Sequence, residues 1–382
     1  MRIDLDKNAS FLIETLIKNG FDAYAVGGCV RDYLLDRPIS DVDITTSALP
    51  EETKKVFSAY PVIETGIKHG TVTVVLDKKP YEITTFRVES GYTDKRHPDS
   101  VSFVKDVRSD LSRRDFTVNA MAYNEKAGLV DYFGGISDLK NKIIRTVGEP
   151  SERFSEDALR ILRALRFASV LGFSIEKKTQ KNCEALAETL LSVSSERIFA
   201  ELKKLVCGVS AKNVIDENRK VLSVFMKVNP DISKLDILPK DHSARLSYLC
   251  GESVIELLAF LKADNETKRK AKLLVNSAAI PKELPALKKY ISALGREDAL
   301  YISAYRRAVC CEDAERMTET LCASSECLTL SDLKINGSDL LKIGVSDKKI
   351  GEALKSLLDA VLAGEIKNEK ELLLKRAKAL DI

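Results

Sequence analysis

Asp41 and Asp43 flank Val42 in the run Asp41-Val42-Asp43-Ile44, which alternates polar and apolar residues as a half-buried strand does. Residues two apart on a strand face the same side, so the spacing brings two carboxylates together. Their repulsion calls for positive charge between them. Mg²⁺ takes carboxylate oxygens together with substrate phosphates. A pair of such ions can activate an attacking hydroxyl and stabilise leaving pyrophosphate. Upstream, Gly27-Gly28 marks a strand-to-helix turn where backbone N–H groups can approach a triphosphate at a helix N-terminus. Arg31, in the first turn of that helix, is placed to clamp phosphate oxygens. Asp-x-Asp alone reads more simply as a solvated turn, and Gly-Gly alone is equally weak. Their order, with Arg31-Asp32, a short helix and a break between them, favours phosphoryl transfer. Glu82, on a neighbouring strand, reads equally well as an exposed residue or as a third carboxylate.

Two further clusters follow. Arg113-Arg114-Asp115-Phe116-Thr117-Val118-Asn119 sets two cations, an acid and an amide before an apolar run. Arg114 suits phosphate or ribose oxygens, and Asp115 and Asn119 suit a ribose hydroxyl or the shaping of the turn; alone, the run would read as a helix cap. In Glu156-Asp157-Ala158-Leu159-Arg160-Ile161-Leu162-Arg163-Ala164-Leu165-Arg166-Phe167, Asp157, Arg160, Arg163 and Arg166 recur every three residues, a charged stripe on one helix. A carboxylate accepts hydrogen bonds and a guanidinium only donates them. Cytosine presents an amino donor beside an acceptor nitrogen, and so does adenine. Asp157 with Arg160 complements both, whereas uracil and guanine turn a carbonyl toward the carboxylate. The plainer alternative is a surface helix carrying a Glu156–Arg160 pair.

The elements that must position these groups change character along the chain. Helix is expected over residues 5–19, strand over 21–26, and helix over 30–35 and again from Leu49. Strands follow over 71–76 and 81–87, with a turn at 77–80 and a mobile polar loop from Glu89 to Ser100. Beyond residue 150 the pattern is helical, with helices over 155–170, 176–191 and 195–206. The fold class is α+β, an α/β head on an all-helical remainder. At 382 residues with 45% hydrophobic content there is material for two or three packed domains, and Leu, Ala, Ile and Val without Trp suit helix packing. A net charge of +3 announces no nucleic-acid partner, although 31% charged residues leave room for a basic face. No run is long and apolar enough to span a bilayer, and residues 1–7 lack the apolar core of a signal peptide. Eight scattered cysteines without a Cys-x-x-Cys pair, and three histidines, argue against a zinc site and for reduced thiols in the cytoplasm.

Together these motifs resemble the class II tRNA nucleotidyltransferase and bacterial poly(A) polymerase family. Gly27-Gly28-x-x-Arg31-Asp32 with Asp41-x-Asp43 is similar to its metal and triphosphate motif, and Arg113–Ala122 to its second. Asp131-Tyr132-Phe133-Gly134-Gly135 resembles its third, a hinge between head and neck. Glu156-Asp157-x-x-Arg160 resembles the nucleotide-selecting fourth, and Ser195-Glu196-Arg197-Ile198-x-x-Glu201-Leu202 the fifth, a neck helix supporting the fourth. Asn336–Leu341 and Ile350–Leu354 resemble the tail of bacterial CCA-adding enzymes. The resemblance implies a nucleotidyltransferase head (1–142), a neck (143–206), a body (207–295) and a tRNA-binding tail (296–382). It implies CCA addition to tRNA from CTP and ATP with Mg²⁺ on Asp41 and Asp43, by a monomer or homodimer. Gly28, Arg31 and Arg114 would hold triphosphate and sugar, and Asp157 and Arg160 would read the base. Arg163 and Arg166 would complete the nucleotide pocket, and the loop over 87–104 would govern the final A. Poly(A) polymerase, a specialised CC- or A-adding enzyme and, more remotely, a non-catalytic tRNA-binding module are the alternatives.

Overall fold

A four-residue strand, Ala-Tyr-Ala-Val, buried along its whole length, lies in the interior of the N-terminal sheet. The computed structural model describes residues 3–39, 41–91, 100–277, 279–310 and 313–379. It divides into two compact units, one running to Val228 and including Phe260–Lys262, the other formed by Asn229–Ala259 and the chain from Ala263.

In the first unit the strands are β1 (Ala23–Val26), β2 (Asp43–Thr46), β3 (Val62–Gly66), β4 (Thr71–Leu76), β5 (Lys79–Thr85), β6 (Arg87–Ser90), β7 (Ser100–Phe103), β8 (Met121–Asn124) and β9 (Gly128–Asp131). Seven of them build one sheet in the order β3-β4-β5-β2-β1-β8-β9, and β6 pairs with β7. β1 runs antiparallel to β2 and β8, and β2 parallel to β5. The helices are α1 (Lys7–Lys18), α2 (Gly28–Leu34), α3 (Pro50–Val56), α4 (Val107–Ser112), α5 (Gly135–Asn141), α6 (Pro150–Glu156), α7 (Leu159–Leu171), α8 (Lys177–Ala185), α9 (Ser195–Val206), α10 (Ala211–Glu217) and α11 (Arg219–Leu222). Short strands β10 (Ile143–Ile144) and β11 (Ser174–Ile175) tie the entry of the helical part to the end of α7.

Three expectations need correction. The turn at 77–80 is only two residues long: Asp77 and Lys78 take positive φ, and Pro80 lies in β5 ahead of the stretch paired with β2. The polar segment 87–104 is a hairpin at its base, Arg87 pairing with Phe103 and Ser90 with Ser100; the expected mobile stretch 92–99 lies outside the described residues. The helix expected over 155–170 is broken. α6 ends at Glu156, and Asp157 has an extended backbone with φ −146° and ψ 103°. Its Oδ1 accepts the Leu159 N–H at 3.1 Å, a local bond that competes with helix. The charged stripe therefore begins at Arg160, and Asp157 stands at a joint. Strand β3 was not anticipated.

The second unit is helical: α12 (His242–Cys250), α13 (Val254–Phe260), α14 (Asn265–Val275), α15 (Leu284–Leu294), α16 (Arg296–Cys310), α17 (Asp313–Ala323), α18 (Gly337–Lys342), α19 (Ile350–Leu362) and α20 (Lys370–Lys378). Its core includes Leu274, Leu287, Ile291, Ile302, Leu340 and Leu373. One apolar face of α19 packs there, with Leu357, Leu358 and Leu362 buried and Ile350, Leu354 and Val361 partly so. No helix among the described residues is long and apolar enough to cross a membrane. Cys29, Cys183, Cys207, Cys250, Cys322 and Cys327 are free thiols.

Candidate active site

β1 delivers the chain to Gly27, whose φ of 76° and ψ of −125° suit glycine alone. A Cβ there would also stand 3.0 Å from Nη1 of Arg114. α2 opens at Gly28 and buries Arg31, which donates to both Asp32 oxygens at 3.0 and 2.9 Å and to Asn119 Oδ1 at 2.6 Å. The first and second motifs thus meet at Arg31.

Val26 pairs with Asp43 across the sheet. Val42 and Ile44 are buried while Asp41 and Asp43 are exposed, so both carboxylates face one side, as their spacing predicts. Loss of surrounding water raises the Asp43 pKa; Arg114 opposes this and Asp41 adds to it. Neither carboxylate has an ion-pair partner among the described residues. Two hard oxygen donors on one face, one of them held above its usual pKa, fit a divalent cation. The strand register sets Glu82 beside Asp43, since Ile44 pairs with Ile83, yet no three-carboxylate metal cluster occurs among the described residues.

Beside Asp43 opens a cavity of about 470 Å³ lined by elements of all these motifs. Gly28, Arg31, Asp43, Arg114, Asp157, Arg160, Arg163 and Arg166 border it; Asp41 does not. Seven arginines face three aspartates in its lining, a balance suited to a polyanion. Asp115 is fully committed to scaffolding. Its Oδ1 accepts from Phe116 N and Asn119 Nδ2 at 2.8 and 3.1 Å, and its Oδ2 accepts from Arg163 Nε and Nη2 at 2.8 and 2.6 Å. Burial pushes this carboxyl up, but Arg163 and Asn119 outweigh burial and hold it at about 2. Arg166 donates to Glu201 of α9 at 2.6 Å. Asp157 Oδ2 accepts from Arg197 of α9 at 2.7 Å. Arg160 donates to Glu156 Oε2 at 2.5 Å and to the Arg153 and Arg113 carbonyls at 3.2 Å each.

A family profile described as "Poly A polymerase head domain" matches residues 23–145, one for a "Probable RNA and SrmB-binding site of polymerase A" matches 172–220, and one for "tRNA nucleotidyltransferase domain 2" matches 243–377. The CCA-adding enzyme of Enterococcus faecalis is 36% identical over 97% of this chain and 95% of its own length. That of Lactococcus lactis subsp. cremoris is 39% identical with the same coverage. The chain belongs to the CCA-adding enzyme family. It is therefore a nucleotidyltransferase. The crystal structure of the Bacillus stearothermophilus CCA-adding enzyme in complex with CTP superposes with a TM-score of 0.79 at 34% identity, covering 97% of this chain and 96% of that one.

Within this CCA-adding enzyme, several residues of the cavity lay outside the sequence assignment. Phe167, read as packing surface, gathers three cations: Arg166 lies 3.6 Å from its ring centroid, Arg31 5.1 Å and Arg163 5.5 Å. Phe116 braces the ring edge-on at 5.6 Å. Arg197 and Glu201 reach the cavity elements from α9. Their four-residue spacing on an amphipathic helix was the available signal, since opposite charges so placed would ordinarily pair with each other. Asp131 caps α5 through the Gly135 and Ile136 N–H groups at 2.9 Å each. Gly135 packs against Thr117 O, where a Cβ would collide. The third motif thus forms a close-packed joint.

Proposed function

We propose that this chain completes the 3′ end of tRNA by adding C, C and A from CTP and ATP, with its own side chains acting as the template. The observation that carries the reading is the single cavity in which phosphate-binding, carboxylate and base-reading groups converge. Asp41 and Asp43 would hold the divalent metal that family membership implies, here Mg²⁺, which when bound supplies charge neutralisation for the triphosphate and the attacking 3′ oxygen. Gly28, Arg31 and Arg114 bind the triphosphate. Arg114 Nε is buried with no hydrogen-bond partner among the described residues, a donor still to be satisfied.

Base choice follows from which donors and acceptors remain. Three of the five Arg160 N–H groups are used by Glu156 and the two carbonyls, leaving Nε–H and one Nη2–H. Each Asp157 oxygen accepts one bond, from Leu159 N or Arg197, and keeps a lone pair. An acceptor beside two spare donors matches the edges of C and A and opposes the carbonyls of U and G. Arg163 and Arg166, fixed by Asp115 and Glu201, hold the wall behind Asp157. The partition into head, neck, body and tail at residues 142, 206 and 295 assigns tRNA grip to the last two parts, through phosphates and shape.

Hairpin β6–β7 connects to this reader. Arg87 and Arg113 both pair with Glu89, at 2.7 and 3.1 Å, and the Arg113 carbonyl holds Arg160. Shortening residues 90–99 is expected to spare both cytidines and remove terminal A addition, as product lengths on a gel would show. Function as a whole is tested with tRNA ending at its discriminator base, offered each NTP singly and then CTP with ATP. Two additions with CTP, a third only when ATP follows, and none with UTP or GTP are expected. Long adenosine tails from ATP alone would favour poly(A) polymerase instead.

A further inference from the structure

Tyr132 immediately follows β9 and leaves 49% of its surface in solvent. The Arg108 guanidinium lies over its ring, 5.6 Å from the centroid. Arg108 is itself exposed and makes no ion pair among the described residues, unlike Arg31, Arg160, Arg163 and Arg166, each held by a carboxylate. An exposed ring with an exposed cation on its face offers a π surface and a positive charge to one ligand.

The fold places this pair beside the reacting end of the sheet. Asp43 pairs with Val26, Val26 with Ala122, and Ala122 with Val130, so these four residues form one row with side chains on one face. Tyr132 lies two residues beyond Val130, at the same end. Three strand spacings separate β2 from β9, roughly 14 Å. Arg108 is on α4, and the chain leaving α4 carries Arg113 and Arg114 into the nucleotide cavity. The Arg108–Tyr132 pair is nonetheless absent from that cavity's lining, which leaves it open to the other substrate.

Resting on the proposed CCA addition, we infer that Arg108 and Tyr132 form a stacking platform for the single-stranded 3′ end of the tRNA acceptor. The chemistry of successive addition favours such a contact. The incoming nucleotide must be recognised by base, but the primer ends in the discriminator base before the first step and in C before the second and third. A group that receives it must be indifferent to base identity. Stacking meets that need because every base has a π face, while Arg108 supplies charge for the adjoining phosphate. Hydrogen-bond readout at this position would instead stall one of the steps.

The test uses the full chain with tRNA carrying 2-aminopurine as its 3′-terminal base, whose fluorescence falls when it stacks. Wild type is expected to quench it on binding. Tyr132→Ala should abolish quenching and raise KM for tRNA roughly tenfold, the low end of aromatic stacking. KM for CTP should stay near wild type. Tyr132→Trp should restore quenching, and Arg108→Ala should weaken tRNA binding with steeper loss at low salt. Tyr132 is exposed, so thermal unfolding should not shift. Unchanged quenching and KM in Tyr132→Ala, with wild type extending tRNA normally, would overturn the platform. Failure of wild type to extend tRNA at all would instead overturn the function on which it rests.

Discussion

Arg163 meets Asp115 and Arg166 meets Glu201 at 2.6 Å each, and the cavity wall of the first unit is built from such close pairs. In the helical unit the fully buried Glu315 stands 3.7 Å from Arg306. Both of its carboxylate oxygens, Arg306 Nε and Tyr290 Oη are buried without a hydrogen-bond partner among the described residues. Charge in the first unit is arranged in advance around a place where more charge must arrive. In the second, apolar packing around Leu287, Ile291 and Leu357 sets the structure, and the polar cluster fits loosely within it. A site that handles triphosphates needs fixed dipoles and cations before substrate arrives. A helical scaffold needs only a filled core.

The sharpest break in this contrast comes from the two carboxylates that have no ion-pair partner among the described residues of the first unit. Asp41→Ala or Asp43→Ala is expected to abolish nucleotide addition, with the thermal transition and tRNA binding close to wild type. Removing either acid relieves repulsion and costs the metal-free fold little. Appreciable turnover by the folded double variant would refute the assignment. Next in size is base choice. Asp157→Ala should lose roughly 1.5–3 kcal/mol of discrimination against UTP and GTP and also slow CTP and ATP use. Competition assays with mixed NTPs read this directly, and unchanged selectivity would move base reading elsewhere.

Asp115 tests whether the close pairs carry stability as well as geometry. Its pKa of about 2 lies below the usual carboxylate value. The ionised form therefore stabilises the fold fully above about pH 4, and that contribution is lost as pH falls toward 2. Asp115→Asn is expected to lower stability by about 2 kcal/mol at pH 7, with the gap to wild type closing in acid, measured by urea unfolding across that range. The smallest effect is expected in the second unit. Glu315→Gln replaces a buried carboxylate that makes no hydrogen bond to its ion-pair partner Arg306, so the stability change should be smaller than that of Asp115→Asn and CTP addition should be untouched. A loss as large as that of Asp115→Asn would erase the distinction between the two units.

Much of this was legible in the chain because short-range pattern carried it. The alternation around Asp41 and Asp43 predicted their shared face, and the α9 boundaries were read as they stand. The break at Asp157 was not legible. Apolar spacing runs straight through it, and only the side-chain bond to Leu159 and the reach of Arg197 from forty residues away interrupt the helix. β6 and β7 escaped notice for a related reason. The alternation of Arg87-Val88-Glu89 and of Ser100-Val101-Ser102-Phe103 spans only a few residues, and the pairing is fixed across a gap in sequence. Phe167 was visible only as an apolar residue, because a ring's capacity to gather guanidinium groups depends on α2 and α7 meeting in space.

The joint at Asp157 gives fidelity the character of an assembly tolerance. The two groups proposed to read a base hang from different supports: Asp157 from α9 through Arg197, Arg160 from α6 through Glu156 and from the end of α4 through the Arg113 carbonyl. Their separation is therefore set by the summed play of three elements rather than by the rigid pitch of one helix. Small wear in any support, by substitution or by heat, widens the error spectrum before it slows the chemistry at the carboxylates. On the proposed roles, accuracy depends on these supports and speed on the carboxylates of Asp41 and Asp43.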